Sequence, residues 1–127
     1  MIKNRIYGKT KNISIESLRE LFKSPKLNYI TLAILFGSRA KEKDIHSQSD
    51  YDIAILAEDS NSFPWGVISQ AWIDIGDVLG LPDYDYDIVD LKYADKFILD
   101  NIKEAFIILK GEESEFYRLF NKNQTDS

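Results

Sequence analysis

Two aspartates at the start of an apolar stretch are the residues with the clearest chemical potential. Asp50 and Asp52 flank Tyr51 and lead into the apolar run 53–57. Because side chains of a β-strand alternate between its two faces, both carboxylates share one face and Tyr51 points to the other. Two adjacent carboxylates repel one another, and a cation held by oxygen ligands would neutralise them. The spacing therefore predicts a cation site.

A glycine–serine turn precedes these carboxylates at a fixed distance. The apolar run 32–36 ends at Gly37 and Ser38, and eleven residues separate Ser38 from Asp50. Glycine lets the backbone approach a ligand closely, and backbone N–H groups with the Ser38 hydroxyl can hold phosphate oxygens, especially if Ser38 begins a short helix. Either feature alone is common in proteins that bind nothing there. Their conjunction predicts a metal–nucleotide site.

The elements that position these residues follow from hydrophobic periodicity. Strands are predicted over 30–36, 50–57, 86–91 and 105–109. Helices are predicted from Ser14 to Ser24, from about 62 to Gly80, over 94–103, and after Gly111. This order predicts an α/β (α+β) fold: a small mixed sheet with helices on one face, forming a single domain over 1–127. Its core spans about 30–111, and 121–127 are expected to fray.

Several residues are assigned structural roles. Trp65 and Trp72 share the apolar face of the predicted helix and are expected in the core. His46 is expected to be solvated in a polar loop, and residues 1–12 to form an arm or a short strand. The acidic run 83–90 leads into a predicted strand, and all of its carboxylates except Asp87 are expected to be solvated.

Composition limits the possible classes of function. The chain has 127 residues, no cysteine and a net charge of −5. Disulfides and thiolate metal sites are therefore excluded, and direct nucleic-acid binding is not expected because phosphate contacts need clustered Lys and Arg. No stretch approaches the roughly 18 apolar residues of a membrane span, and the N-terminus lacks a signal-peptide core. We expect a soluble cytoplasmic protein without membrane contact.

The motif Gly37-Ser38, eleven residues, Asp50-Tyr51-Asp52 resembles the signature of the nucleotidyltransferase fold of the DNA polymerase beta superfamily. The strings GSRA…SDYDIAIL and YDIVDL extend the resemblance over most of 30–111. The short chain resembles the minimal nucleotidyltransferase (MNT) proteins, commonly the antitoxins of HEPN–MNT toxin–antitoxin pairs. One departure is Lys41-Glu42, where the family usually has a second Arg-Gly.

The resemblance implies a two-metal site. Asp50 and Asp52 would bind Mg²⁺, or Mn²⁺, with ATP as the substrate, and a third carboxylate would complete the set. The family position selects Asp87 for that carboxylate, although the parity of a strand also allows Asp85.

Nucleotide contacts are implied as well. Gly37 and Ser38 would hold the phosphates. Arg39 would either stabilise negative charge on the substrate or form a structural ion pair with an aspartate.

The resemblance also implies a function. The chain would transfer AMP from ATP to a hydroxyl, that of a tyrosine, on a HEPN-type toxin encoded by an adjacent gene. The alternatives are an antitoxin that neutralises the toxin by binding alone and, less favoured, an enzyme that modifies small molecules of the aminoglycoside type. The residues leave open the preferred nucleotide, the number transferred, the acceptor and the oligomeric state.

Overall fold

The computed structural model describes residues 11–42, 50–58 and 62–126. His46 and most of the predicted N-terminal arm lie outside these ranges. Among the helices of the described chain, none combines the length and apolar character needed to cross a membrane.

One four-stranded sheet forms the centre of the fold, in the order β3-β2-β1-β4. Its strands are β1 (Ile30–Phe36), β2 (Tyr51–Ala57), β3 (Tyr86–Asp90) and β4 (Phe106–Lys110). β1 runs antiparallel to both of its neighbours, and β2 runs parallel to β3. The predicted mixed sheet is confirmed, with each strand within one residue of its predicted bounds.

The helices begin and end where local chemistry favours it. They are α1 (Ile15–Leu21), α2 (Ser38–Glu42), α3 (Val67–Leu79), α4 (Lys96–Glu104) and α5 (Glu113–Asp126). The side chains of Ser14 and Asp95 cap α1 and α4 by accepting bonds from backbone N–H groups three residues on. Gly80, in the left-handed conformation, ends α3. α5 continues beyond Asn121, where fraying was predicted to begin.

The helices cover both faces of the sheet, so the prediction that they lie on one face is wrong. α1 and α3 pack on the face that carries Ala33 and Leu35, whereas α4 and α5 pack on the face that carries Leu32 and Ile34. β1 explains the difference, because six of its seven residues are buried and only Thr31 is partly exposed. An apolar run that continues on both sides of a strand needs cover on both sides.

Trp65 corrects a second prediction, because it does not belong to the core. Its side chain is 80% exposed and it precedes the first residue of α3. Gly66 adopts φ +92°, which interrupts helical geometry between Trp65 and Val67. Trp72, by contrast, packs against the core, and its ring centroid lies 5.9 Å from that of Tyr86.

Candidate active site

The glycine–serine turn and the carboxylate of Asp52 meet at one end of the sheet. Phe36, the last residue of β1, is the antiparallel partner of Asp52, and Gly37 follows it directly. Gly37 has φ +76°, a conformation that L-residues rarely adopt, and a Cβ built on it would collide with the Asp52 carboxylate. Glycine is thus required both by the turn and by the close approach of Asp52.

Asp87 joins the same cluster through strand register. β2 and β3 are parallel, and Asp52 and Asp87 are direct partners across them. Burial raises the pKa of Asp52 to about 6, and the negative charges of Asp87 and Asp50 add to the rise. The structure therefore brings together the three carboxylates that the sequence predicted, with Asp52 at their centre.

Asp85, the alternative third carboxylate, lies elsewhere. It belongs to the 3₁₀ turn Asp83–Asp85 before β3 and is buried, so it is not the solvated residue that we expected. Burial raises the pKa of the Tyr51 phenol, and the charge of Asp85 adds to that rise. Since Tyr51 packs on the α1–α3 face of the sheet, Asp85 is directed to a different environment from that of Asp87.

Asp90 has a structural contact within the same acidic run. Its carboxylate accepts a hydrogen bond of 3.0 Å from the backbone N–H of Lys92 and caps the 3₁₀ turn Leu91–Tyr93. This bond explains an aspartate at the end of β3 without reference to a ligand.

Ser38 opens α2 and is exposed to solvent. The backbone N–H groups of Ala40 and Lys41 both donate to the carbonyl oxygen of Gly37, at 3.1 and 3.0 Å, and so close the turn. The Ser38 side chain therefore lies one residue from the contact between Gly37 and Asp52. Phosphate binding by Gly37 and Ser38 remains a prediction.

Arg39 is buried, with 8% of its surface exposed. Its guanidinium lies 4.0 Å from the centroid of the Tyr51 ring, and Nη1 donates to Asn12 Oδ1 at 2.9 Å. These contacts lie on the side of the sheet opposite the aspartate side chains. Contact between Arg39 and a nucleotide remains a prediction; the contacts described are those of a side chain packed into the fold.

The donor set fits a hard cation by its chemistry. Asp50, Asp52 and Asp87 offer only oxygen ligands, which suit Mg²⁺ and Mn²⁺, and their mutual repulsion is what a divalent ion would relieve. In the described part of the chain, no group of three or more acidic, histidine or cysteine side chains is already arranged to hold a metal ion. The carboxylates are neighbours in the fold but do not yet form a coordination shell.

Comparison with known proteins agrees with this arrangement. A sequence model of the family "Polymerase beta, Nucleotidyltransferase" matches residues 16–115. No curated protein matches the chain. The chain belongs to the polymerase beta family of nucleotidyltransferases.

Solved structures share the fold. A chain of a toxin–antitoxin crystal structure with AMP-PNP is 25% identical, with a TM-score of 0.58, covering 90% of this chain and 86% of that one. A chain of the complex of a tri-AMPylated Shewanella oneidensis HEPN toxin with its MNT antitoxin is 23% identical, with a TM-score of 0.55, covering 89% and 82%. A chain of an MntA–HepT toxin–antitoxin structure is also 23% identical, with a TM-score of 0.54, covering 89% and 83%.

Proposed function

We propose that this nucleotidyltransferase transfers AMP from ATP to a hydroxyl, that of a tyrosine, on a HEPN-type toxin and thereby acts as its antitoxin. The observation that carries the proposal is the pairing of Asp52 with Asp87 across parallel strands, beside a glycine turn that contacts Asp52. The similar structures support the partner and the nucleotide, because one contains AMP-PNP and another an AMPylated HEPN toxin.

In the proposed reaction, the acceptor hydroxyl releases its proton to solvent and its oxygen bonds to the α-phosphorus of ATP, while the bond from that phosphorus to the β-phosphate oxygen breaks and pyrophosphate leaves. Asp50, Asp52 and Asp87 would hold Mg²⁺, which would offset the negative charge that develops during the transfer. The Gly37–Ser38 turn would bind the phosphates of ATP. The role of the chain is therefore to position the reactants and their charges.

Exposure distinguishes the three carboxylates. Asp87 is exposed, whereas Asp50 and Asp52 are partly buried. An incoming protein hydroxyl can therefore approach the cluster from the side of β3. We assign Asp50 and Asp52 to the nucleotide-bearing ion and Asp87 to the side from which the acceptor enters.

A second function is neutralisation of the toxin by binding alone. An antitoxin of this kind would keep its affinity for the toxin when the carboxylates are removed, and would protect without any transfer of AMP.

One experiment separates the two functions. The purified chain is incubated with Mg²⁺, α-labelled ATP and the product of the adjacent gene, with complex formation followed by size-exclusion chromatography. Asp50→Asn and Asp52→Asn are compared with wild type and with Asp100→Asn, which removes an exposed carboxylate on α4 paired with Lys96. We expect label on the neighbour with wild type and Asp100→Asn only, and a complex with all four. A stable complex with no label in any sample contradicts catalysis.

A further inference from the structure

Tyr51 separates the two strand aspartates, yet its side chain lies on the opposite face and is almost fully buried. Its hydroxyl donates to the backbone carbonyl of Lys11 at 2.5 Å and accepts from the backbone N–H of Ile13 at 2.9 Å. Strand parity predicted only that Tyr51 points to the face opposite the aspartates. The two bonds show that it also holds the segment 11–13, which we call the N-terminal strap.

Arg39 reaches the same strap from the other half of the motif. It follows Ser38, and its guanidinium bonds Asn12 while lying over the Tyr51 ring. A cation over an aromatic face is attracted to the ring, more strongly when both are shielded from water. The turn that carries Ser38 and the strand that carries Tyr51 therefore contact one another, and both are bonded to the N-terminal strap.

We propose that Tyr51 and Arg39 are positioning residues, which use the N-terminal strap to fix the Gly37–Ser38 turn relative to Asp50 and Asp52. The inference rests on the proposed function. Tyr51 lies between Asp50 and Asp52 in the chain, so bonds that restrain Tyr51 also restrain the backbone that carries both carboxylates. Misplacement of reacting groups by about 1 Å can lower a rate on the order of a hundredfold.

Two variants loosen this arrangement from different sides. Tyr51→Phe removes both hydroxyl bonds and keeps the ring under Arg39. Asn12→Ala removes the bond from Arg39 Nη1 to Asn12 Oδ1 and leaves the motif itself unchanged. Tyr29→Phe is the matched control, because Tyr29 is a partly buried tyrosine whose hydroxyl donates to Asp74 at 2.8 Å and which precedes the far end of β1.

The readouts are kcat and KM for ATP in the transfer assay, together with amide hydrogen exchange. For Tyr51→Phe and Asn12→Ala we expect kcat to fall about tenfold or more, with a smaller change in KM. We also expect faster exchange of the amides of 37–39 and 50–52, beyond the strap itself. Tyr29→Phe should leave both kcat and these amides unchanged.

The outcomes separate this inference from the proposed function. If wild type transfers AMP, an unchanged kcat in Tyr51→Phe, or an equal loss in Tyr29→Phe, overturns the positioning role. If wild type transfers nothing, the proposed function fails, and amide hydrogen exchange alone tests the positioning role. Faster exchange that spreads to 37–39 and 50–52 then supports the coupling, and exchange confined to 11–13 overturns it.

Discussion

Gly37→Ala tests the site where backbone conformation and chemistry meet. The substitution imposes two costs: an L-residue at φ +76°, and a methyl group within the space of the Asp52 carboxylate. Strain at such a conformation is on the order of 1–3 kcal/mol. The carboxylate can rotate away from the new methyl group, so most of the loss of stability is backbone strain. The rotation, however, removes Asp52 from its neighbours Asp50 and Asp87.

Gly66→Ala is the control that measures backbone strain without a steric contact. Gly66 has φ +92°, but a Cβ there meets nothing within 4 Å. We expect both variants to lower the free energy of unfolding by about 1–3 kcal/mol, measured by urea denaturation. AMP transfer should fall on the order of a hundredfold in Gly37→Ala and stay unchanged in Gly66→Ala.

A double-mutant cycle isolates the contact itself. In an Asp52→Ala background the carboxylate that meets the methyl group is gone, so Gly37→Ala should cost less than it does in wild type. The cost should approach that of Gly66→Ala. Equal costs of Gly37→Ala in both backgrounds, with transfer retained in the single variant, would show that the close approach of Asp52 does not require glycine at position 37.

Three further predictions address the charge and the packing of the fold. Because the pKa of Asp52 rises from 3.8 to about 6 on folding, this carboxyl holds more protons in the folded state than in the unfolded state, so its contribution to stability in the absence of divalent ions falls as pH rises from about 4 to about 6. Denaturation against pH in EDTA checks this, and Asp52→Asn should remove about 1–2 kcal/mol of the dependence. Phe116→Ala should cost about 3–5 kcal/mol in chemical denaturation, because Phe116 is the fully buried residue by which α5 packs on the Leu32–Ile34 face of the sheet; a loss below about 1 kcal/mol would contradict this packing. Trp65→Ser should change stability by less than about 0.5 kcal/mol in the same assay, and a larger loss would show that Trp65 is not free of the core.

Much of the fold was predictable because its signals are local. Short apolar runs predict the strands. Capping residues predict the helix ends: Ser14 begins α1 and Gly80 ends α3. The sequence did contain a signal that helices cover both faces of the sheet. β1 is apolar at successive positions rather than alternating ones, which indicates a strand buried on both sides. The error at Trp65 came from extending a helical pattern across Gly66, whose conformation is not encoded by periodicity.

The site was predictable in part, for a related reason. Asp50 and Asp52 share a face by strand parity, which needs only their spacing. Whether Asp85 or Asp87 stands beside them depends on the register between β2 and β3, which the sequence does not contain. The contacts of Arg39 and Tyr51 with the N-terminal strap join residues 27 to 40 positions apart. Such contacts form only when the fold is complete, so the strap was invisible from the sequence.

We propose that Asp87, the carboxylate of β3, completes a site for nucleotidyl transfer, and label transfer with two variants of β3 is the decisive experiment. Asp87→Asn removes the charge next to Asp52, whereas Asp90→Asn makes the same change three residues later and keeps a side chain that can cap the following turn. We predict that Asp87→Asn abolishes transfer of AMP to the product of the adjacent gene and that Asp90→Asn retains it. Full transfer by Asp87→Asn, in a sample that folds as wild type does, would contradict the claim.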